Sequence, residues 1–458
     1  MTLDRTRPPD PAAIRPFEFP AVDRRSLDNG VTVLTAPHGS LPLVTVRAVV
    51  DAGAAAELAG EEGLAWLTTR ALEGGTQRTS GDEMAWKLER LGAQLETATT
   101  WEGLHVQITT PSDRLPDALA LLAEIVREPS FSEREVQRLR DEQLAEIMRR
   151  RTEPRGLADD AAARYIFAEN ETYARPLIGL EPRVHRFGRQ AAVAFHGRRF
   201  TPGNTAIVVA GAVTASAVQR EVHAVFGDWS GAQQPPPVPS ARARSQTTTV
   251  FLVDRPSAVQ SELRIGHVGV PRHHEDYYAL LVLNAIVGGA FTSRLNLSLR
   301  EKHGFTYGVR SGFAFRRAAG PFVIQTAVAS DVTARAVDET LRELHGVRND
   351  GVTDAEVSAA RDFLAGTMPL GMQTTEQIAA RLADLHTFEL PTNYFEKYGE
   401  RIGAVSRDDV SRVARDHLHI DRLAIVVVGN AAAVQDQLRE LDVGDVIIET
   451  VPEAPPAA

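Results

Sequence analysis

With 458 residues, 43% of them hydrophobic and 24% charged, the chain is too long for one ordinary core and long enough for two or more. A formal net charge of -10 gives no basic footprint for nucleic acid and disfavours anionic membrane surfaces, and no apolar run approaches the roughly 20 residues that cross a bilayer. The absence of cysteine excludes disulfides, Cys-ligated zinc, iron–sulfur clusters and thiol nucleophiles.

The opening "MTLDRTRPPDPAAIRPFEFP" has arginines and prolines where a secretory signal needs an apolar core. The expected compartment is therefore cytoplasmic, or periplasmic if a leader has been removed. Strand-like alternation follows in "VTVLTAPHGSLPLVTVRAVVDAG", then a helix around "GLAWLTTRALEGG", more strands in "AQLETATTWEGLHVQITTP", and two amphipathic helices, "LPDALALLAEIVREP" and "SEREVQRLRDEQLAEIMRRR". The first half closes on "AAVAFHGRRFTPGNTAIVVAGAV", a helix and a buried-looking strand.

Residues 229–246, "WSGAQQPPPVPSARARSQ", read as a linker, because prolines favour extended chain and Ser, Gln and Gly offer little to bury. Beyond it the same order recurs: strands in "TTVFLVDRPSAVQSELRIGHVGV", a helix in "YALLVLNAIVGGAFTSRLNLSLREKHG", strands in "TYGVRSGFAFRRAAGPFVIQTAVA", helices from 332 and 353, and a closing "LAIVVVGNA" that echoes "TAIVVAGAV". Ser132 with Glu135 and Thr353 with Glu356 form matching capping-box patterns. Strands grouped before helices predict α+β domains with antiparallel-rich sheets rather than a doubly wound fold. The predicted layout is two homologous domains related by internal duplication, 1–228 and 247–450, joined by the 229–246 linker and followed by a tail, 451–458.

No P-loop, nucleophile-elbow or dinucleotide glycine motif occurs. His273 and His274 precede Glu275, but neighbouring side chains point apart and zinc needs three or four convergent ligands, so a solvated pair is expected. His417 and His419 could share a face near the last strand, yet only Asp416 and Asp421 stand close in sequence, and surface histidines are again the expectation.

"SRLNLSLREKHGFTYG", residues 293–308, carries a different signal. Gly304 follows "LREKH" as a helix-terminating glycine does, with Lys302 and His303 suited to the negative helix end. Arg300 then belongs to the helix end and Tyr307 to the following strand, where a guanidinium fork and a phenol can converge on a carboxylate, peptide carbonyl or oxyanion. Taken alone, the pair reads equally as a surface ion pair with Glu301 and a packed tyrosine.

The segment 260–308, with its pattern GG-x-F-x-SRLN-x-x-LRE-x-x-G-F-x-Y, resembles the C-terminal half of bacterial members of the pitrilysin/insulinase metallopeptidase family, which includes the mitochondrial processing peptidases. The resemblance implies that Arg300 and Tyr307 hold substrate peptide. It also implies a zinc helix in the first half reading H-x-x-E-H. Here "EGLAWLTTRALEGGT" places Trp66 and Arg70 at the two histidine positions and Thr69 at the glutamate, while Glu146 keeps the place of the third ligand. Tryptophan and arginine cannot ligate zinc, and threonine cannot serve as general base near neutral pH. Arg70 either pairs with Glu146 or each faces solvent independently. In "LETAT", residues 95–99, Glu96 replaces the asparagine that relatives carry on the substrate-pairing strand.

What the resemblance implies, with these departures, is a non-catalytic, substrate-binding subunit of a heterodimeric zinc peptidase acting on peptides in an enclosed chamber. It would hold no metal or cofactor, the zinc residing in a homologous H-x-x-E-H partner subunit. The alternative it leaves open is a catalytically silent scaffold or core-type subunit of a larger complex.

Overall fold

In a computed structural model the chain is described over residues 17–39, 41–232 and 234–450. Most of the stretch 1–20 on which the compartment reading rested, residues 1–16, and the tail 451–458 lie outside them. Among the described residues the strands form two six-stranded sheets. The first contains β1 (Asp23–Ser26), β2 (Thr32–Pro37), β3 (Leu43–Val50), β4 (Gln94–Thr99), β5 (Leu104–Pro111) and β6 (Thr205–Gly211), in the order β1-β2-β6-β3-β5-β4. The second contains β7 (Thr249–Asp254), β8 (Gln260–Val268), β9 (Val309–Phe313), β10 (Pro321–Ala329), β11 (Ala424–Gly429) and β12 (Asp445–Thr450), in the order β12-β7-β11-β8-β10-β9.

The duplication is explicit in this order. β2, β6, β3, β5 and β4 correspond to β7, β11, β8, β10 and β9, and among these β2 with β6 and β7 with β11 are the parallel pairs. Only the outermost strand differs. β1 precedes β2 and runs antiparallel to it, whereas β12 comes from the chain's other end and runs parallel to β7. The edge strands β4 and β9 each have a single neighbour, as β1 and β12 do at the opposite edges.

Each sheet is covered on both faces, which explains why β6 and β11 are buried along their whole length rather than alternating. One face packs on its own half's helices, including α1 (Leu64–Ala71), α2 (Gly81–Leu91), α3 (Leu115–Arg127) and α4 (Glu133–Thr152) in the first half. The other face is closed by a helix lent from the opposite half. α5 (Pro154–Ile166) lies on β8 and β11 of the second sheet, with Ala158, Ala161 and Tyr165 against Phe251, Val426 and Val428. Reciprocally, the helix Thr375–Thr387 lies on β3 and β6, with Ile378, Leu382 and Leu385 against Leu34, Val49 and Val208. Fully burying such a side chain is worth about 1.5 to 3 kcal/mol, so the exchange is a large part of what holds the halves together. Polar ties cross the same seam: Arg264 Nε to Asp159 at 2.6 Å, Arg317 Nη2 to Asp51 at 2.7 Å, and Thr45 Oγ1 to Thr375 Oγ1 at 2.8 Å.

Residues 229–246 contain no helix or strand among those described, but their second part is not free chain. Ala243 bridges Phe167 at the end of α5, and Arg242 Nε reaches Glu171 at 2.6 Å. The two capping patterns part company as well. Thr353 and Glu356 make both hydrogen bonds of the box, whereas Ser132 accepts the Glu135 N–H and the Glu135 carboxylate turns to Arg138 instead.

Candidate functional site

Local chemistry fixes α1 before its own side chains are considered. Gly63, at φ +104°, enters the helix where a Cβ would lie 2.7 Å from Ile178 O, so only glycine fits. Glu57 folds over this start, its Oε1 accepting the Gly63 and Ala65 N–H groups at 3.1 and 2.8 Å, and Oε2 meeting Arg175 at 2.6 Å. Burial pushes the Glu57 carboxyl up to about 7 against the pull of Arg175 and these N–H donors. From α4, Gln143 Nε2 donates to Gly63 O at 2.9 Å and Ile178 O at 2.7 Å, fixing α4 against α1.

With α1 and α4 so held, Trp66, Thr69, Arg70, Glu142, Glu146 and Arg150 line one open cleft of about 630 Å³ beside Thr97, Ala98 and Thr99 of β4. The structure thus brings together all four residues that stand at the family's zinc-site positions, but not as the paired charges the sequence suggested. Arg70 Nη1 lies 3.2 Å from Glu73, and Glu146 is held by Arg149 at 2.6 Å, an i,i+3 bond within α4 that also keeps its carboxyl below the usual range. The Arg70–Glu146 pair is not found; the two side chains stand independently of each other, both partly exposed, each with an ion-pair partner three residues along the chain. Thr69 is 1% exposed; its hydroxyl donates to Ala65 O at 2.7 Å and accepts from Thr99 at 3.0 Å. A tryptophan without a free lone pair, an already saturated threonine, a permanent cation and an arginine-bound glutamate do not fit a zinc ion.

The other side of β4 opens on a second cleft of about 590 Å³, which shares Arg70, Thr97 and Ala98 with the first. Its remaining walls include Glu73, Glu96, Arg47, His105 and Gln107 from the first half and Asp384 from the lent helix Thr375–Thr387. Gln107 bridges Arg47 and Glu96, accepting from Arg47 Nε at 2.8 Å and donating to Glu96 at 3.2 Å. Burial pushes His105 down to about 4 and raises the Asp384 carboxyl. β4 is therefore an open sheet edge with a chemically distinct cleft on each face. An extended segment added to it would send alternate side chains into the two clefts. The lent helix made half of this site invisible from local sequence, although the replacement of asparagine by Glu96 was a pointer.

Arg300 sits in a wide helical turn, Asn296–Lys302, that Gly304 ends at φ +65°. Lys302 and His303 lie 3.5 and 3.3 Å from Glu339. Among the described residues Arg300 and Tyr307 make no mutual contact. The guanidinium stacks 4.3 Å from the Phe291 ring centroid with Nε 3.4 Å from Glu301. Tyr307 is not on a strand; it occupies the bend before β9, is 98% exposed, and borders a shallow groove of about 360 Å³ with Arg155, Arg264 and Arg310. Those arginines, two from the second half and Arg155 from α5, went unread because nothing in their local sequence groups them.

Comparison with known proteins agrees with this architecture. The family model for insulinase (peptidase family M16) matches residues 32–179, and that for the peptidase M16 inactive domain matches residues 186–364. An "uncharacterized zinc protease" of Mycobacterium bovis is 28% identical over 449 residues, covering 96% of this chain and all of that protein. One from Streptomyces coelicolor is 26% identical over 87% of each chain. Among solved structures, a peptidase M16 inactive domain from Pseudomonas fluorescens superposes with TM-score 0.81 at 25% identity, over 90% of this chain and 99% of that one. A protease from Helicobacter pylori has TM-score 0.83 at 18% identity, over 90% of this chain and all of that one, a likeness of fold. Sequence motifs, duplicated sheets and both family models converge on one conclusion: the chain belongs to the insulinase, or M16, peptidase family.

Proposed function

We propose that this chain is the substrate-holding, non-catalytic subunit of a two-subunit peptidase, acting with a homologous chain that bears H-x-x-E-H. The observation that carries the reading is the α1 cleft, where Trp66, Thr69 and Arg70 stand in place of the zinc-site residues and Thr69 and Arg70 are engaged in bonds of their own. Features suited to holding a peptide support the same reading. β4 offers unpaired backbone at a sheet edge, flanked by the two clefts. Tyr307 projects into solvent beside a groove where Arg155 and Arg310 can meet a peptide carbonyl or terminal carboxylate, Arg264 being already held by Asp159 and Glu262.

In this reading the chain contributes orientation. Backbone pairing at β4 fixes the register of an extended peptide, Glu96 and Asp384 act on side chains directed to one face, and Arg300 and Tyr307 anchor it from the second half. Positioning of this kind lowers a barrier without a catalytic group in the chain itself. The relatives' designation as zinc proteases supports peptides as the substrate class.

The test is hydrolysis of an unstructured fluorogenic peptide by the H-x-x-E-H homologue alone and after addition of this chain. Cleavage should rise on addition and fall when the added chain carries Arg300→Ala or Tyr307→Ala. A homologue equally active with and without this chain would remove the proposal and leave a silent scaffold.

A further inference from the structure

Two histidines that stand more than a hundred residues apart in sequence meet in the fold. His274 lies in the loop after β8, Asp276 is the N-cap of the helix Tyr277–Asn284, and His417 is the last residue of the helix Arg407–His417, which packs against it. His417 Nε2 is 2.8 Å from Asp276 Oδ2, and His274 Nδ1 is 3.8 Å from the same oxygen. The two imidazoles are 4.8 Å apart at 86°. One donor atom from each residue lies within 4.8 Å of the other two. Asp276 is 7% exposed, and the side chains of His417 and His274 are 14% and 28% exposed, so the cluster is sheltered but open on one side.

We propose that His274, Asp276 and His417 form a site for one divalent transition-metal ion of the zinc or nickel class, binding the start of one helix to the end of the other. Two imidazoles with one carboxylate are donors such ions favour, and the open side leaves a position for water. Ligand bonds of about 2.0 to 2.1 Å in a tetrahedral arrangement place neighbouring donors about 3.3 Å apart, a value that the observed 2.8 and 3.8 Å bracket. The remaining separation, between the two imidazole donors, lies within 4.8 Å, so closure draws the rings together by up to about 1.5 Å.

The competing occupant of the aspartate is Arg412, whose Nη2 and Nη1 lie 2.5 and 3.1 Å from Oδ1 and Oδ2. A carboxylate accepts at about four lone-pair positions, so Oδ1 can keep Arg412 while Oδ2 turns to the ion. The arginine would then stand behind the ligand and orient it, at some cost in affinity. His274 Nδ1 also accepts the Asp276 N–H at 3.1 Å, a bond that yields when this nitrogen ligates. Without metal, the same groups form a plain ion-pair tie between helix ends. The site shares no residue with the α1 cleft and stands or falls independently of the proposed peptidase role.

Calorimetric titration of the full chain with Zn²⁺ and with Ni²⁺, alongside the visible absorption of bound Co²⁺, distinguishes the two states. The expected result is one saturable equivalent, weakened at least tenfold by His274→Ala and separately by His417→Gln, which keeps a hydrogen-bond donor toward Asp276. Arg412→Gln should tighten binding, because it removes the competitor. Far-UV circular dichroism of each variant establishes that it is folded. Because the chain holds 13 histidines, saturable binding that survives both histidine substitutions belongs elsewhere and overturns the proposal, as does no binding at all. Binding no tighter in Arg412→Gln would count against Asp276 as a ligand.

Discussion

Arg70 Nη1 lies 3.2 Å from Glu73 Oε1, and Glu73 in turn accepts the Thr97 hydroxyl of the edge strand β4. Arg70 is thus tied to its own helix end and, through Glu73, to the edge strand β4. It does not substitute a cation for the ion by bonding to Glu146. The cleft wall beside β4 is polar and internally bonded.

If sequence alone removed the metal, restoring it should return binding. Trp66→His, Thr69→Glu and Arg70→His together recreate H-x-x-E-H opposite Glu146. The triple variant should retain one zinc equivalent more than the parent by elemental analysis. Without zinc it should melt below the parent, since a carboxylate then replaces the buried Thr69. Zinc should raise its melting temperature by preferential binding to the folded state. No added equivalent would mean that the cleft differs from a zinc site by more than these three side chains.

Glu57 and Arg175 form the buried pair that holds the start of α1. Arg175→Met leaves the carboxylate without its partner and should cost about 3 to 5 kcal/mol in urea unfolding near pH 8. The Glu57 carboxyl is raised to about 7 from 4.5, so the folded state binds the extra proton. Its contribution to stability is therefore greatest at acid pH and declines as pH rises through that window. Accordingly, the Arg175→Met penalty should shrink toward pH 5. A penalty independent of pH would show that Glu57 is not the group responsible.

Buried histidines act in the opposite direction. Burial holds His267 down to about 3 and His105 down to about 4, both against 6.5 when unfolded. Each contributes stability present above the unfolded value, and lost as pH falls toward the folded one, at roughly 1.4 kcal/mol per pH unit. His267→Gln should flatten the acid limb of the stability profile between pH 6.5 and 3. An unchanged limb would contradict the burial of this ring.

The helix exchange makes a sharper claim about folding. Residues 247–458 expressed alone would leave the α5-facing side of β8 and β11 bare, and residues 1–246 would lack the helix Thr375–Thr387 on β3 and β6. Each half should aggregate alone, while the intact chain unfolds in one calorimetric transition. Leu382→Ala, in the lent helix, should lower the whole transition by about 2 to 5 kcal/mol. Two separate transitions would mean that the seam is dispensable.

These results show where sequence was sufficient. The periodicities of 32–50, 94–111, 249–268 and 309–329 located the strands, and the echo of "TAIVVAG" in "AIVVVG" disclosed the duplication because both strands occupy the same doubly covered position. The lent helices were not legible, since an amphipathic pattern gives a buried face without saying which sheet it meets. For the same reason Asp384 could not be assigned to the β4 groove, nor His274 to His417. Tyr307 was expected on a strand and lies in the bend before one, because Thr306 and Gly308 hydrogen-bond locally and delay the ladder to Val309.

Tyr307 also permits a clean separation of binding from stability. At 98% exposure its replacement by Ala should move the unfolding free energy by no more than about 0.5 kcal/mol. In the mixed-subunit assay it should still reduce kcat/KM about tenfold, the value of a hydrogen bond to a charged group. Equal losses of stability and activity would assign the residue to folding instead.

The most direct measurement is turnover of an unstructured peptide by the purified chain alone, with zinc supplied in excess and the H-x-x-E-H homologue absent. The account predicts no cleavage above background, and none gained by zinc, because Trp66, Thr69 and Arg70 leave the α1 cleft without ligands or base. Zinc-dependent turnover by the lone chain that is lost in Glu146→Gln would contradict it and place a working metal centre in this cleft.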